Sequence, residues 1–287
     1  MEHLRGMVSL GAILFPFNVP GTPYGRLTAI SSELEFQLRK LIGRRRAQPA
    51  GSDLLSTFIR THDEDGSSFS DDELLGLSSL IVSAGYDTTA YTLTWTLFLL
   101  SQHSKVLGKL RGKLRGEPPT AAQLAELPLL EWVIKESMRV LSLPAFLFFC
   151  IAQKRFELGR YPLPKGAGVI LSPLMTHHLP ELYPDPMRFR PDRWQSIQPS
   201  LYEYLPLGAG ARMCVGGSFA MLSLRILLAM IVQRIGFELA PGAQISRTIS
   251  GTALIPKYGM PMRLLAPGTV PQRSAVNGDI HELVHLS

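Results

Sequence analysis

Cysteine is almost absent from this sequence. Cys150 and Cys214 are the only two in 287 residues. Two are too few for the disulfide framework of a small secreted domain. That points to a reducing, cytoplasmic setting and leaves both sulfurs open to ligand or nucleophile chemistry. Charge is also scarce, at 18% of residues, while 46% are apolar. A chain so apolar is not disordered. No internal repeat occurs. The net charge is +6, yet no basic patch is interleaved with aromatic residues, so no nucleic-acid partner is expected. Near the N-terminus, "GMVSLGAILFPFNVPG" has an apolar core of about eleven residues, short of a bilayer span. No A-x-A-like site follows it, so neither a transmembrane segment nor a signal peptide is expected.

What is present is length enough for one large core or two modest ones. Residues 28–48 read as an amphipathic helix ending in Arg44, Arg45 and Arg46. These arginines read as a solvated face or as a docking surface for an acidic partner. "SDDE" (70–73) is a capping box, and the helix it opens runs to about Ser101. That helix is apolar on nearly every side, as a helix through the middle of a protein is. Asp87 interrupts it, which argues against a membrane span. Residues 104–115 and 120–141 read as further helices. The basic residues of 104–115 offer a second candidate docking surface. After Pro144 short strands are expected over 156–173 and again over 247–267. "PELYPDPMRFRPDRW" (180–194) has four prolines and suits only irregular structure. Helices dominate, so the fold class is mainly α with a small β portion. The tail 267–287 is polar and reads as loose.

Four stretches carry chemistry. "LGAGARMCVGG" (207–217) sets Cys214 among Gly208, Gly210 and Gly216 at the start of an apolar helix. Glycines let backbone amides approach the sulfur, and the helix start adds a positive dipole end. The result suits a metal-ligating thiolate or a nucleophile. Zinc is poorly supported, because no second cysteine stands at ligand spacing. Arg212, two residues before the cysteine, could hold an anionic group of a cofactor. "AGYDTT" (84–89) places Gly85 and the weak helix formers Asp87, Thr88 and Thr89 in the middle of the long helix. A local distortion such as a π-bulge is expected there, and an acid beside an alcohol can relay protons. "KESMR" (135–139) puts Glu136 and Arg139 on one helix face. "FRPDRW" (189–194) adds Arg193 in an aromatic setting.

Taken in this order, the four stretches resemble the oxygen helix, the E-x-x-R helix, the F-x-P-x-R-F/W segment and the cysteine loop of the cytochrome P450 family. The resemblance covers roughly residues 20 to 266 and gives 1–266 as one region, the C-terminal haem-binding part of that fold. It is closest in style to the bacterial members. It implies haem b (iron protoporphyrin IX), with Cys214 as axial thiolate and Gly208, Gly210, Gly216, Arg212 and His177 as cofactor-binding. It implies Asp87 and Thr88 as the catalytic proton-delivering pair, and Glu136, Arg139 and Arg193 as a structural triad. Leu80, Ile81, Ala84, Phe146 and Leu254 would line the substrate pocket. The implied reaction inserts one atom of dioxygen into an apolar small molecule, with electrons from a separate ferredoxin- or flavin-type donor. A relative that keeps the haem-thiolate but drops oxygen activation is the less suited reading, because "DTT" is intact.

The sequence departs from the family pattern in places. Leu207 stands where the family's loop has phenylalanine. Cys150 stands where an arginine precedes the "x-E-L" strand, and His178 replaces the arginine of an H-R pair. Only 83 residues precede Ala84, and none of Trp95, Trp132 and Trp194 has an arginine four residues on. The chain therefore reads as N-terminally truncated relative to the family. The alternative to an active monooxygenase is a catalytically incompetent fragment with weak or no haem binding.

Overall fold

The computed structural model describes residues 14–48, 51–266, 269 and 271–286. The start of the apolar N-terminal stretch lies outside the described residues. The chain divides into two compact units, Met1–Ala84 and Gly85–Ser287.

The first unit contains α1 (Pro23–Ala47), α2 (Leu54–Arg60) and the opening turns of α3 (Asp71–Gln102). Thr22 caps α1 by accepting from Gly25 N at 3.0 Å, and Pro23 suits the first helical position. Asp53 caps α2 in the same way through Ser56 N. The capping box at α3 forms as expected. Ser70 N donates to Glu73 Oε2 at 2.8 Å, and Glu73 N returns to Ser70 Oγ at 3.3 Å. Arg39 pairs with Asp72 and Arg46 with Asp71, which ties α1 to the first turn of α3. Arg45 reaches Asp53 at 3.3 Å. Two of the three clustered arginines thus neutralise acids of their own unit. Leu38, Ile42 and Leu74 are buried.

The second unit holds the rest of α3, then α4 (Ser104–Lys113), α5 (Ala121–Ala125), α6 (Pro128–Val140), α7 (Pro173–Thr176) and α8 (Gly217–Arg234). Residues 120–141 are not one helix. Pro128 cannot continue α5 but suits the first position of α6, so the chain restarts there. The contribution of α3 is continuous α-helix through 84–89, without the expected distortion. Thr92 Oγ1 donates to Thr88 O at 2.9 Å and Thr96 Oγ1 to Thr92 O at 2.8 Å. These two hydroxyls, one and two turns beyond that stretch, bond back into the helix.

The strands are short and antiparallel: β1 (Cys150–Ile151) with β4 (Gly168–Val169), β2 (Phe156–Leu158) with β3 (Tyr161–Leu163), β5 (Gly236–Leu239) with β8 (Met262–Leu265), and β6 (Arg247–Ser250) with β7 (Ala253–Pro256). One core joins Trp95, Phe98 and Leu99 of α3 to Leu107 and Leu110 of α4, Leu130 and Ile134 of α6, and Leu224 and Leu228 of α8. Each such side chain contributes about 1.5–3 kcal/mol by leaving water. The fully buried Trp95 also donates from Nε1 to Leu254 O at 3.0 Å, anchoring α3 to β7. Among the described residues α8 alone is long and apolar enough to cross a membrane, but it buries Leu224, Leu228, Ala229 and Val232 in this core.

The tail is not loose. Residues 271–286 bury Ile280, Val284 and Leu286 in the core. Ile245 N donates to Asn277 O at 2.7 Å and His285 N to Met187 O at 2.8 Å. Arg247 pairs with Asp279 and Glu282. The three apolar residues, spaced four and two apart, outweigh the polar composition around them.

Candidate functional site

The site has two parts, a buried polar cluster and an exposed loop, joined by hydrogen bonds. The cluster forms on Glu136, which α6 carries into the interior fully buried. Its Oε1 accepts from Arg139 Nη2 at 2.8 Å, Arg193 Nε at 2.9 Å and Arg190 N at 2.9 Å. Its Oε2 accepts from Arg139 Nε at 3.1 Å and Trp194 Nε1 at 3.0 Å. Arg139, also fully buried, sends its remaining donors to the carbonyls of His177, Pro186 and Arg188. Arg193 does the same for Pro184, Asp185 and Arg188. Burial pushes the Arg193 guanidinium below its ordinary value, while Glu136 pulls it back. One carboxylate and two guanidiniums thus fix a proline-rich segment that has no regular hydrogen-bond ladder of its own. Asp185 takes φ 52° within it, a conformation that aspartate tolerates better than most residues.

His177 links the cluster to the loop. Its carbonyl accepts from Arg139, and its Nε2 accepts from Leu205 N at 2.8 Å. That bond makes Nε2 the acceptor and puts the ring proton on Nδ1. Nδ1 is buried without a partner among the described residues. The ring is fully buried, with Tyr183 and Tyr204 beside it. Burial, then the charge of Arg139, lowers its pKa to about 3. His177 is therefore a neutral positioning residue. Its carbonyl and Nε2 are committed inside the protein, and Nδ1–H is the one ring group left over for the cofactor contact expected of it.

From Leu205 the chain turns into the cysteine loop. Gly208 N donates to Leu205 O, and Gly208 and Gly210 take φ 72° and 70°. Residues with a Cβ rarely enter that region, which is why glycine stands at both positions. Cys214 N donates to Leu207 O at 2.8 Å and closes the loop on itself. Leu207 packs where a Cβ on Gly217 would come within 3.1 Å of its Cδ1. Gly217 thus lets α8 start close against Leu207. Cys214 Sγ lies 4.0 Å from the Cβ position of Gly216, so the sulfur sits beside the amide-rich end of α8. Arg212 and Cys214 are both exposed, as are the apolar Met213, Val215 and Phe219.

The remaining expected residues fall as follows. Thr88 is exposed and Asp87 half-buried on α3. Leu80, Ile81 and Ala84 are exposed on the part of α3 that belongs to the first unit. Phe146 is half-buried. Leu254 is a core residue at 1% exposure, which corrects its expected place in a pocket lining. Its backbone bonds to Leu143 and Trp95, and Pro144 bridges Ala253, so the two segments read as lining do meet. Sequence reasoning missed Trp194, Arg190 N and Leu205 N. Trp194 had a signal, an indole next to a triad arginine. The two backbone groups had none.

Several known proteins are similar to this chain. The Cytochrome P450 family model matches residues 11–261. Cytochrome P450 714B3 of Zea mays is 34% identical over 242 residues, 81% of this chain and 45% of that protein. Cyclooctat-9-en-7-ol 5-monooxygenase of Streptomyces melanosporofaciens is 34% identical over 257 residues, 85% of this chain and 54% of that one. The solved structure of retinoic acid bound cyanobacterial CYP120A1 matches with a TM-score of 0.81 at 26% identity, over 92% of this chain and 61% of that one. The chain spans about half the length of the curated relatives it matches.

Proposed function

The chain belongs to the cytochrome P450 family, and from that premise we propose that it provides the haem-thiolate part of a monooxygenase. The reaction is insertion of one atom of dioxygen into an apolar organic substrate, in the cytoplasm, with electrons from a separate ferredoxin- or flavin-type protein. The observation that carries this reading is the setting of Cys214: an exposed thiol in a loop held by two positive-φ glycines at the start of α8. The name of the Streptomyces relative supports the reaction class.

The residues fit haem b. The loop offers one sulfur donor, a guanidinium two residues away and exposed apolar side chains around them. Among the described residues no cluster of three or more His, Cys, Asp or Glu could hold a metal unaided. That donor set suits a metal whose other ligands belong to a cofactor. When bound, haem supplies the iron that activates dioxygen, and thiolate ligation favours O–O cleavage. Cys214 Sγ would supply the protein's sulfur ligand to the iron. Arg212 would hold a propionate through its forked N–H groups. Thr88 Oγ1 and the Asp87 carboxyl hold and pass the protons that the reaction consumes. Leu80 and Ile81 offer apolar surface, which suits a substrate recognised by shape.

The test is turnover of the haem-loaded protein under isotopically labelled dioxygen, with a surrogate ferredoxin system and a panel of apolar compounds. One labelled oxygen atom per product supports the proposal. Thr88→Ala should then divert electrons to peroxide, by on the order of 10²-fold for a misplaced proton donor. Product oxygen drawn only from water would contradict the reaction class.

A further inference from the structure

The fold treats the two basic clusters of this chain differently. In α1, Arg39 pairs with Glu35 and Asp72, Arg45 with Asp53 and Arg46 with Asp71. In α4, Lys105, Lys109 and Lys113, with Arg115 just beyond its end, pair with no acid among the described residues. No acid occurs anywhere from Thr88 to Gly116. The half-buried Arg111 is by contrast committed to the fold. It donates to Thr269 O and Ile235 O and lies over the Phe237 ring.

After Ser104 the exposed residues of α4 are Lys105, Gly108, Lys109, Gly112 and Lys113, at i, i+3, i+4, i+7 and i+8. That spacing is one face of a helix. It carries three cations over about 12 Å and no apolar or acidic side chain. Like charges one turn apart repel, and glycine is the weakest helix former after proline. Packing requires neither glycine, since a Cβ at either position would meet nothing within 4 Å. The exposed face thus works against the helix that bears it, while Leu107 and Leu110 on the buried face hold that helix in the core. A face that breaks local rules without a packing reason suits recognition rather than folding.

A membrane-docking helix sets apolar side chains that enter the lipid beside its cations, and this face has none. We propose that the exposed face of α4 docks a partner protein through an acidic helix. Carboxylates at i, i+4 and i+8 of that helix repeat about every 6 Å, the interval of the lysines, and so meet all three in one orientation. Charge complementarity of this kind steers encounter and fixes register. The surface stands apart from the cysteine loop at its C-terminal end. Arg111 Nη2 donates to Ile235 O at 3.3 Å and Gln233 Nε2 to Gly116 O at 2.9 Å, so residues 111–116 abut the C-terminal end of α8. Cys214 precedes the first turn of α8, whose 18 residues extend about 27 Å. Docking there does not require haem.

The probe is a synthetic alanine-based peptide of about twenty residues, long enough to be helical, with glutamate at i, i+4 and i+8. Its glutamine counterpart is the control. Each is titrated into the 287-residue protein at low ionic strength, where exposed charges are least screened. Nuclear magnetic resonance should show the Gly108 and Gly112 amides shifting to saturation with the glutamate peptide only. The combined variant Lys105→Gln, Lys109→Gln, Lys113→Gln should weaken binding by about tenfold or more, through loss of three exposed ion pairs. Its melting temperature should hold or rise. The variant Lys154→Gln, Arg155→Gln, Lys165→Gln removes the same charge from exposed positions and should leave binding unchanged. Gly108→Gln with Gly112→Gln keeps every charge but crowds the face, and should weaken binding several-fold without lowering the melting temperature. Failure of the glutamate peptide to saturate would overturn the proposal. So would equal weakening in the two charge variants, which would reveal a general charge effect. Saturable binding to phosphatidylglycerol vesicles that the glycine variant retains would also overturn it, by assigning the face to lipid.

Discussion

Replacing His177 with glutamine tests how the buried cluster reaches the cysteine loop. Glutamine Oε1 can stand near the place of the imidazole Nε2 and accept from Leu205 N, a bond of 2.8 Å in the native protein. It cannot titrate. The folded-state pKa of His177 is about 3, against an ordinary value near 6.5. The sign follows from that depression. Above pH 6.5 both folded and unfolded chains are neutral at this site. As pH falls below 6.5 the unfolded chain takes up a proton that the folded chain refuses, so stability is lost down to about pH 3. Between pH 7 and pH 5 the loss is about 2 kcal/mol, one and a half units at 1.36 kcal/mol each. His103, also held low by burial, adds to the same window and remains in the variant. Urea unfolding followed by circular dichroism at both pH values gives the difference. The wild type should lose about 2 kcal/mol more than His177→Gln. Equal losses in the two proteins would refute a buried neutral His177.

Three further outcomes follow from the same geometry. Glu136→Gln leaves Arg139 and Arg193 buried without their carboxylate and should cost about 3–5 kcal/mol, read as a fall in the urea midpoint. Gly208→Ala forces a Cβ into φ 72° and should cost about 1–2 kcal/mol; unchanged thermal stability would show that the turn tolerates other residues. A stop codon after residue 270 removes Ile280, Val284 and Leu286 from the core. Three buried side chains at about 1.5–3 kcal/mol each predict a lower melting temperature, whereas an unchanged one would restore the reading of a loose tail.

Much of the site was legible because its chemistry is local. The Ser70–Glu73 capping box, the glycines around Cys214 and the spacing of Glu136 and Arg139 each declare a geometry within a few residues. The break at Pro128 was equally legible, because proline cannot continue a helix. The straightness of α3 at 84–89 was not readable from propensity. Whether a threonine hydroxyl bends a helix or bonds quietly within it depends on the packing around it. The position of His177 was least accessible. It rests on a backbone N–H twenty-eight residues away, and nothing in a neutral buried histidine marks which backbone group it will meet. Leu254 was expected to face a ligand because the family resemblance implies it for this segment. The structure instead buries its side chain in the core, while its carbonyl accepts from Trp95, 159 positions distant.

The central claim is that Cys214 ligates a haem iron. Its most direct test is the absorption spectrum of the haem-loaded, reduced protein under carbon monoxide. Thiolate ligation should give a strongly red-shifted Soret band that survives Cys150→Ser and disappears in Cys214→Ser. A red-shifted band that persists in Cys214→Ser, or one lost in Cys150→Ser alone, would contradict the assignment.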